Sequence, residues 1–149
     1  MPDRIPIATI GFTQTTAENF FKRLRAAHVN RIIDVRLHNS SQLSGFAKAK
    51  DLAYFLKTIA GIDYQHMPLL APTDEMLKAY KKHKGDWSLY ERQFLALMAE
   101  RRIEDQLQPE MLRDACLLCS EAKPHHCHRR LVCDYLNERW DSALSVRHL

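Results

Sequence analysis

Short apolar runs alternate with segments of helical periodicity along this chain, and that alternation leaves few folds open. Residues 5–10, Ile-Pro-Ile-Ala-Thr-Ile, form the first apolar run, closed by Gly11. Phe20, Phe21, Leu24 and Ala27 then recur at helical spacing, and Thr15 and Glu18 before them have the spacing of a capping box. Residues 31–36, Arg-Ile-Ile-Asp-Val-Arg, read as a second strand with a charged end. After a polar loop over 37–45, Leu52, Phe55, Leu56 and Ile59 predict another amphipathic helix, stopped by Gly61. Residues 62–67 read as a short strand cut off by Pro68. Thr73 is placed to cap a helix reaching about Lys82, and residues 89–102 predict a helix carrying Phe94, Leu95, Leu97 and Met98. Residues 115–118 read as a buried strand, residues 130–136 as the start of an amphipathic helix ending near Trp140, and residues 144–148 as a last strand.

Strands alternating with helices predict an α/β fold: a mainly parallel sheet flanked by helices on both faces, in Rossmann-like or flavodoxin-like layering. At 149 residues and 46% hydrophobic, the chain has enough apolar material for one core, and no linker or internal repeat divides it. A single domain over residues 1–149 is expected. The net charge of +4 permits an acidic partner but lacks the clustering of a dedicated nucleic-acid binder. No apolar stretch is long enough to span a membrane, and Met1-Pro-Asp-Arg leads straight into a strand-like run, which argues against a signal peptide. The expected setting is the cytoplasm, with all four cysteines reduced and none in a disulfide. Cys116 and Cys133 sit among apolar residues and should be buried.

In a parallel sheet, ligands bind outside the carboxyl ends of the strands. That end gathers residues 11–13, residues 34–36, His66, residues 119–121 and His148. The densest chemistry lies over residues 116–130, where three thiols, three imidazoles, a carboxylate and two guanidinium groups crowd one strand-to-helix turn. Cys127 falls at or just before the helix start, where free amides and neighbouring cations favour a thiolate. Cys127 or Cys119 is the candidate nucleophile, with Glu121 and His128 as acid/base groups. Arg129 and Arg36 are the candidates for recognising negative charge, with Asp34 and Thr13 beside them. Arg129 should face the sheet and Arg130 the solvent, since successive helical residues point about 100° apart. A structural reading competes: Arg129 paired with Glu121 or Asp34, tying strand ends together.

Cys116 and Cys119 have C-x-x-C spacing, yet on a strand positions three apart face opposite sides, so no knuckle forms there. Cys119, Cys127 and His128, with Glu121 or His148, offer a different set of zinc- or iron-type ligands. The sequence assigns no residue as a metal ligand and leaves the cofactor open.

Four tracts carry a family likeness: Thr9-Ile-Gly11, Asp34-Val-Arg36, residues 62–68 (Ile-Asp-Tyr-Gln-His-Met-Pro), and Leu118-Cys-Ser-Glu121 followed by Cys127-His-Arg129. On these the chain resembles the family known as domain of unknown function 488, over nearly its whole length. The resemblance implies a fold and a site but no reaction. Phe12 stands where many members carry His, and the segment after Arg36 departs from the family's proline- and arginine-rich version. The cysteine loop is also similar, with a longer spacing, to those of rhodaneses and cysteine phosphatases. The expected function is binding of a small anionic or nucleotide-like ligand, with thiol-based catalysis within reach. The alternatives are a non-catalytic module for nucleic acid or a protein partner, and a metal-binding protein. Oligomeric state is not legible.

Overall fold

The computed structural model describes residues 4–13, 15–38, 49–82, 85–119 and 127–149. Among these residues five strands run parallel: β1 (Ile5–Gly11), β2 (Arg31–Asp34), β3 (Asp63–His66), β4 (Ala115–Cys119) and β5 (Leu144–His148), in the order β3-β2-β4-β1-β5. Every residue of β4 is buried, as expected of a strand covered on both faces, whereas edge strand β3 alternates. The sheet is the predicted one, and the helices lie on both sides of it. On one face α1 (Ala17–Ala26), α2 (Ala49–Phe55) and the turn that continues it pack Phe20, Phe21, Leu24, Leu52 and Leu56 against Ile10, Ile32, Cys116 and Leu118. The other face buries Ile33, Val35, Leu117 and Cys119 beneath α3 (Asp74–Lys82), α4 (Trp87–Arg101), α5 (Ile103–Gln106) and α6 (His128–Arg139). Cys116 and Cys119 thus face opposite sides, as strand geometry requires.

Local signals were read with small displacements. Thr16 caps α1, its Oγ1 accepting from Asn19 N at 3.1 Å, so the expected capping box on Thr15 is displaced by one residue. Thr73 caps α3 as expected, accepting from Met76 N at 3.2 Å. Gly61 ends its helix at φ 66°, the left-handed conformation in which glycine is not penalised. The turn before it, Leu56–Ala60, is wound as a π-helix, however, and Ile59 is left 46% exposed rather than buried on the predicted face. The loop expected over 37–45 falls largely outside the described residues. No helix among the described residues is long and apolar enough to cross a membrane.

The strand order fixes where a site can form. The chain leaves β1 through α1 for β2, on the far side of β4, and leaves β4 through α6 for β5, on the far side of β1. Adjacent strands therefore send their connections apart, which opens the switch point where α/β sheets hold their ligands. Gly11 and Cys119 are register partners at that point.

Candidate functional site

The carboxyl ends of β1, β2 and β4 and the first turn of α6 meet in one buried cluster. Asp34 and Arg129 are fully buried, Arg36 is 3% exposed, Cys119 3%, Cys127 2% and His128 9%. Sequence reasoning placed these six side chains together, and the sheet does bring them to one end. Thr13 is half-buried in the turn after β1. Glu121, the other acid/base candidate, lies outside the described residues.

One correction is needed. Cys119 and Cys127 are joined by a disulfide, with Cα atoms 7.2 Å apart, against the expectation that no cysteine would be paired. Cys119 ends β4 and Cys127 is the N-cap of α6, so the bond ties the strand end to the helix start. Cys116 and Cys133 are free and buried, as expected. Burial pushes both thiols up, Cys133 to about 12, which leaves them inert at neutral pH.

His128 connects the disulfide to β2. Its Nε2 lies 2.6 Å from the carbonyl oxygen of Val35, and a carbonyl can only accept, so Nε2 carries the proton. Nδ1 then presents its lone pair 3.8 Å from Cys119 Sγ. Burial pushes the ring down to about 4, with the nearby Arg129 cation adding to the effect, so the imidazole is neutral at neutral pH. The Phe94 ring, 5.3 Å away, closes the apolar side.

Two charged clusters flank this centre. Asp34 accepts from Arg36 Nε and Nη2, both at 2.8 Å, from the Arg36 amide at 3.1 Å, and from the Tyr64 hydroxyl. The Arg36 guanidinium lies over the Phe12 ring at 5.0 Å, and His66 Nε2 donates to the Arg36 carbonyl at 2.8 Å. The apolar ring at position 12 thus helps to hold a paired arginine. Arg129 reaches under the sheet end and donates from Nε to Thr9 Oγ1 at 3.3 Å. Thr9 in turn meets His148 Nδ1 at 2.5 Å. The charge of Arg129 is felt at Cys116, Cys133, His128 and His148, in each case favouring the deprotonated form. Arg130 points away, as expected, and pairs with Asp134 at 3.1 Å one turn on.

Thr9 and Tyr64 were not among the predicted site residues. The available signal for Thr9 was a lone hydroxyl in an otherwise apolar strand, and Tyr64 shared its short strand with the expected His66.

Comparisons with curated proteins and with solved structures found no match to this chain. A family model matches residues 16–136, a stretch that contains β2 and β4 and reaches through Cys119, Cys127, His128 and Arg129. The chain belongs to the family described as Domain of unknown function DUF488.

Proposed function

We propose that this chain acts through Cys119 and Cys127 as a two-electron thiol–disulfide couple on a small anionic substrate. The observation that supports it is the joined pair with His128 Nδ1 3.8 Å from Cys119 Sγ. In the dithiol form, Cys127 at the N-cap of α6 is the thiolate favoured by the helix terminus. It attacks one sulfur of a substrate disulfide, forming a mixed disulfide and releasing the first thiolate, which takes up a proton. The Cys119 thiol, its S–H directed at His128 Nδ1, then attacks the Cys127 sulfur. The Cys119–Cys127 bond closes, and the second substrate thiolate leaves and takes up the proton that Cys119 gives up. The sum is one dithiol and one substrate disulfide in, one protein disulfide and two substrate thiols out.

The anionic character of the substrate rests on the positive charge of Arg129 beside the positive end of the α6 dipole. Arg36 is already held by Asp34 and contributes shape more than net charge. A cytoplasmic setting belongs to the proposal, because a glutathione-poised compartment returns such a couple to the dithiol.

Reduced Cys119→Ser and Cys127→Ser variants, exposed to oxidised glutathione and followed by mass, separate the two thiols. Cys119→Ser is expected to accumulate a mixed disulfide with a single glutathione, since its resolving thiol is gone. Cys127→Ser should accumulate it more slowly. A reversed preference makes Cys119 the attacking thiol, and no adduct on either variant contradicts the proposal.

A further inference from the structure

We infer that the same centre, once reduced, is a binding site for a zinc-class divalent ion held by Cys119 Sγ, Cys127 Sγ and His128 Nδ1. The inference rests on the pair opening to a dithiol, as the thiol–disulfide proposal requires, but it adds a ligand that exchange chemistry does not need. The ligand atoms of these three residues all lie within 4.8 Å of one another. A tetrahedral ion with bonds of about 2.3 Å to sulfur and about 2.0–2.1 Å to nitrogen holds a thiolate and an imidazole nitrogen about 3.6 Å apart. Cys119 Sγ and His128 Nδ1 stand at 3.8 Å without any ion. Little movement of the ring is needed.

The imidazole is also set in the required tautomer. Metal-bound histidines nearly always donate the other ring N–H to a carbonyl or carboxylate, which fixes the ring and raises its basicity. Val35 O performs that task here at 2.6 Å and follows directly on β2, remote in sequence from α6. The buried ring therefore cannot turn its lone pair elsewhere without giving up that bond. A histidine merely filling the core has no need to aim a bare nitrogen at two sulfurs.

Two thiolates on one tetrahedral ion keep their sulfurs about 3.8 Å apart, within the 4.8 Å that already spans the three ligand atoms. The donor set selects the metal: two thiolates with one imidazole suit zinc, whereas oxygen donors would be needed for calcium or magnesium. Three protein ligands leave a fourth position for water or another donor, the pattern of an open site. The disulfide offers no thiolates, so the ion and the sulfur–sulfur bond are alternative occupants of one centre.

The test uses the full chain reduced with a phosphine, freed of reductant under nitrogen and titrated with Co2+ as a spectroscopic substitute for zinc. Thiols are counted first in denaturant, where the four cysteines should all react, against the two free ones of the oxidised form. A single Co2+ per chain is then expected, with thiolate-to-cobalt charge transfer and tetrahedral absorption bands, and zinc should displace it. Cys119→Ser and Cys127→Ser should each weaken binding by on the order of tenfold or more, while Cys133→Ala keeps it. Circular dichroism confirms that each variant is folded. Four thiols with no cobalt bands overturn the metal site and leave the thiol couple standing. Bands that persist in the Cys119→Ser/Cys127→Ser double variant place the ion elsewhere and also overturn it. A disulfide that cannot be opened without unfolding the chain overturns both readings.

Discussion

Arg129→Ala is expected to destabilise the protein by about 3–5 kcal/mol, the range for truncating a large, fully buried side chain. Arg129 heads the largest fully buried side chains, and its guanidinium meets Thr9 Oγ1 at the sheet end. Truncation leaves a cavity and removes the positive charge that favours deprotonation at neighbouring groups. Folded domains hold only about 5–15 kcal/mol in all, so the variant should melt roughly 10 °C lower. Arg130→Ala is the control. Its side chain is 28% exposed and pairs with Asp134 along the surface of α6, an arrangement worth about 0.3–0.5 kcal/mol. Equal, small effects in thermal melts would separate Arg129 from the core of the site. Arg129→Met divides structure from chemistry, since it refills the space without the charge. It should recover much of the stability while glutathione capture at Cys127 stays slower than in the wild type.

Asp34→Ala should cost a similar amount, about 3–5 kcal/mol in urea unfolding, for a different reason. Here the cation remains and its carboxylate is lost. Arg36 keeps a buried guanidinium over Phe12, without the two 2.8 Å bonds that satisfied it, and Tyr64 loses its acceptor. Removing both charges should be milder than removing one, because replacing a buried ion pair by apolar groups is often near neutral. The Asp34→Leu/Arg36→Met double variant is therefore expected to be more stable than Asp34→Ala. A double variant worse than the single would mean that Arg36 is held mainly by contacts other than Asp34.

What the sequence allowed to be read follows the physics of each signal. The β1 and β2 strands announced themselves through β-branched residues and β4 through an unbroken apolar run, and α6 through its spacing, so the sheet end and most of the candidate site came together from pattern alone. The α2 region misled because helical spacing assumes 3.6 residues per turn, and the π-wound turn at Leu56–Ala60 rotates Ile59 out to solvent. Thr16 in place of Thr15 was a choice between adjacent hydroxyls that only backbone conformation decides. Thr9 and Tyr64 were missed because a single polar residue in a strand carries no periodicity to detect.

The disulfide was missed for another reason. The expected reducing compartment spoke against pairing, and cysteine spacing alone does not report that a strand end and the N-cap of the following helix stand close enough to bond. His128 shows the same limit from the other side. Its place beside the cysteines was legible, but its bond to Val35 O joins β2 to α6 across 93 positions, and no local pattern encodes that.

A glutathione redox titration of the full chain, with free thiols counted by alkylation and mass, tests the thiol couple most directly. Structural disulfides typically lie below about −300 mV, out of reach of the glutathione pool. A dithiol stabilised at the α6 terminus and near Arg129 should be easier to form, because stabilising the thiolate favours the reduced state. The expected result is one two-electron transition above about −300 mV that joins Cys119 to Cys127 and leaves Cys116 and Cys133 untouched. A midpoint below that value, or opening only on unfolding, would make the bond a structural staple and contradict the proposed function.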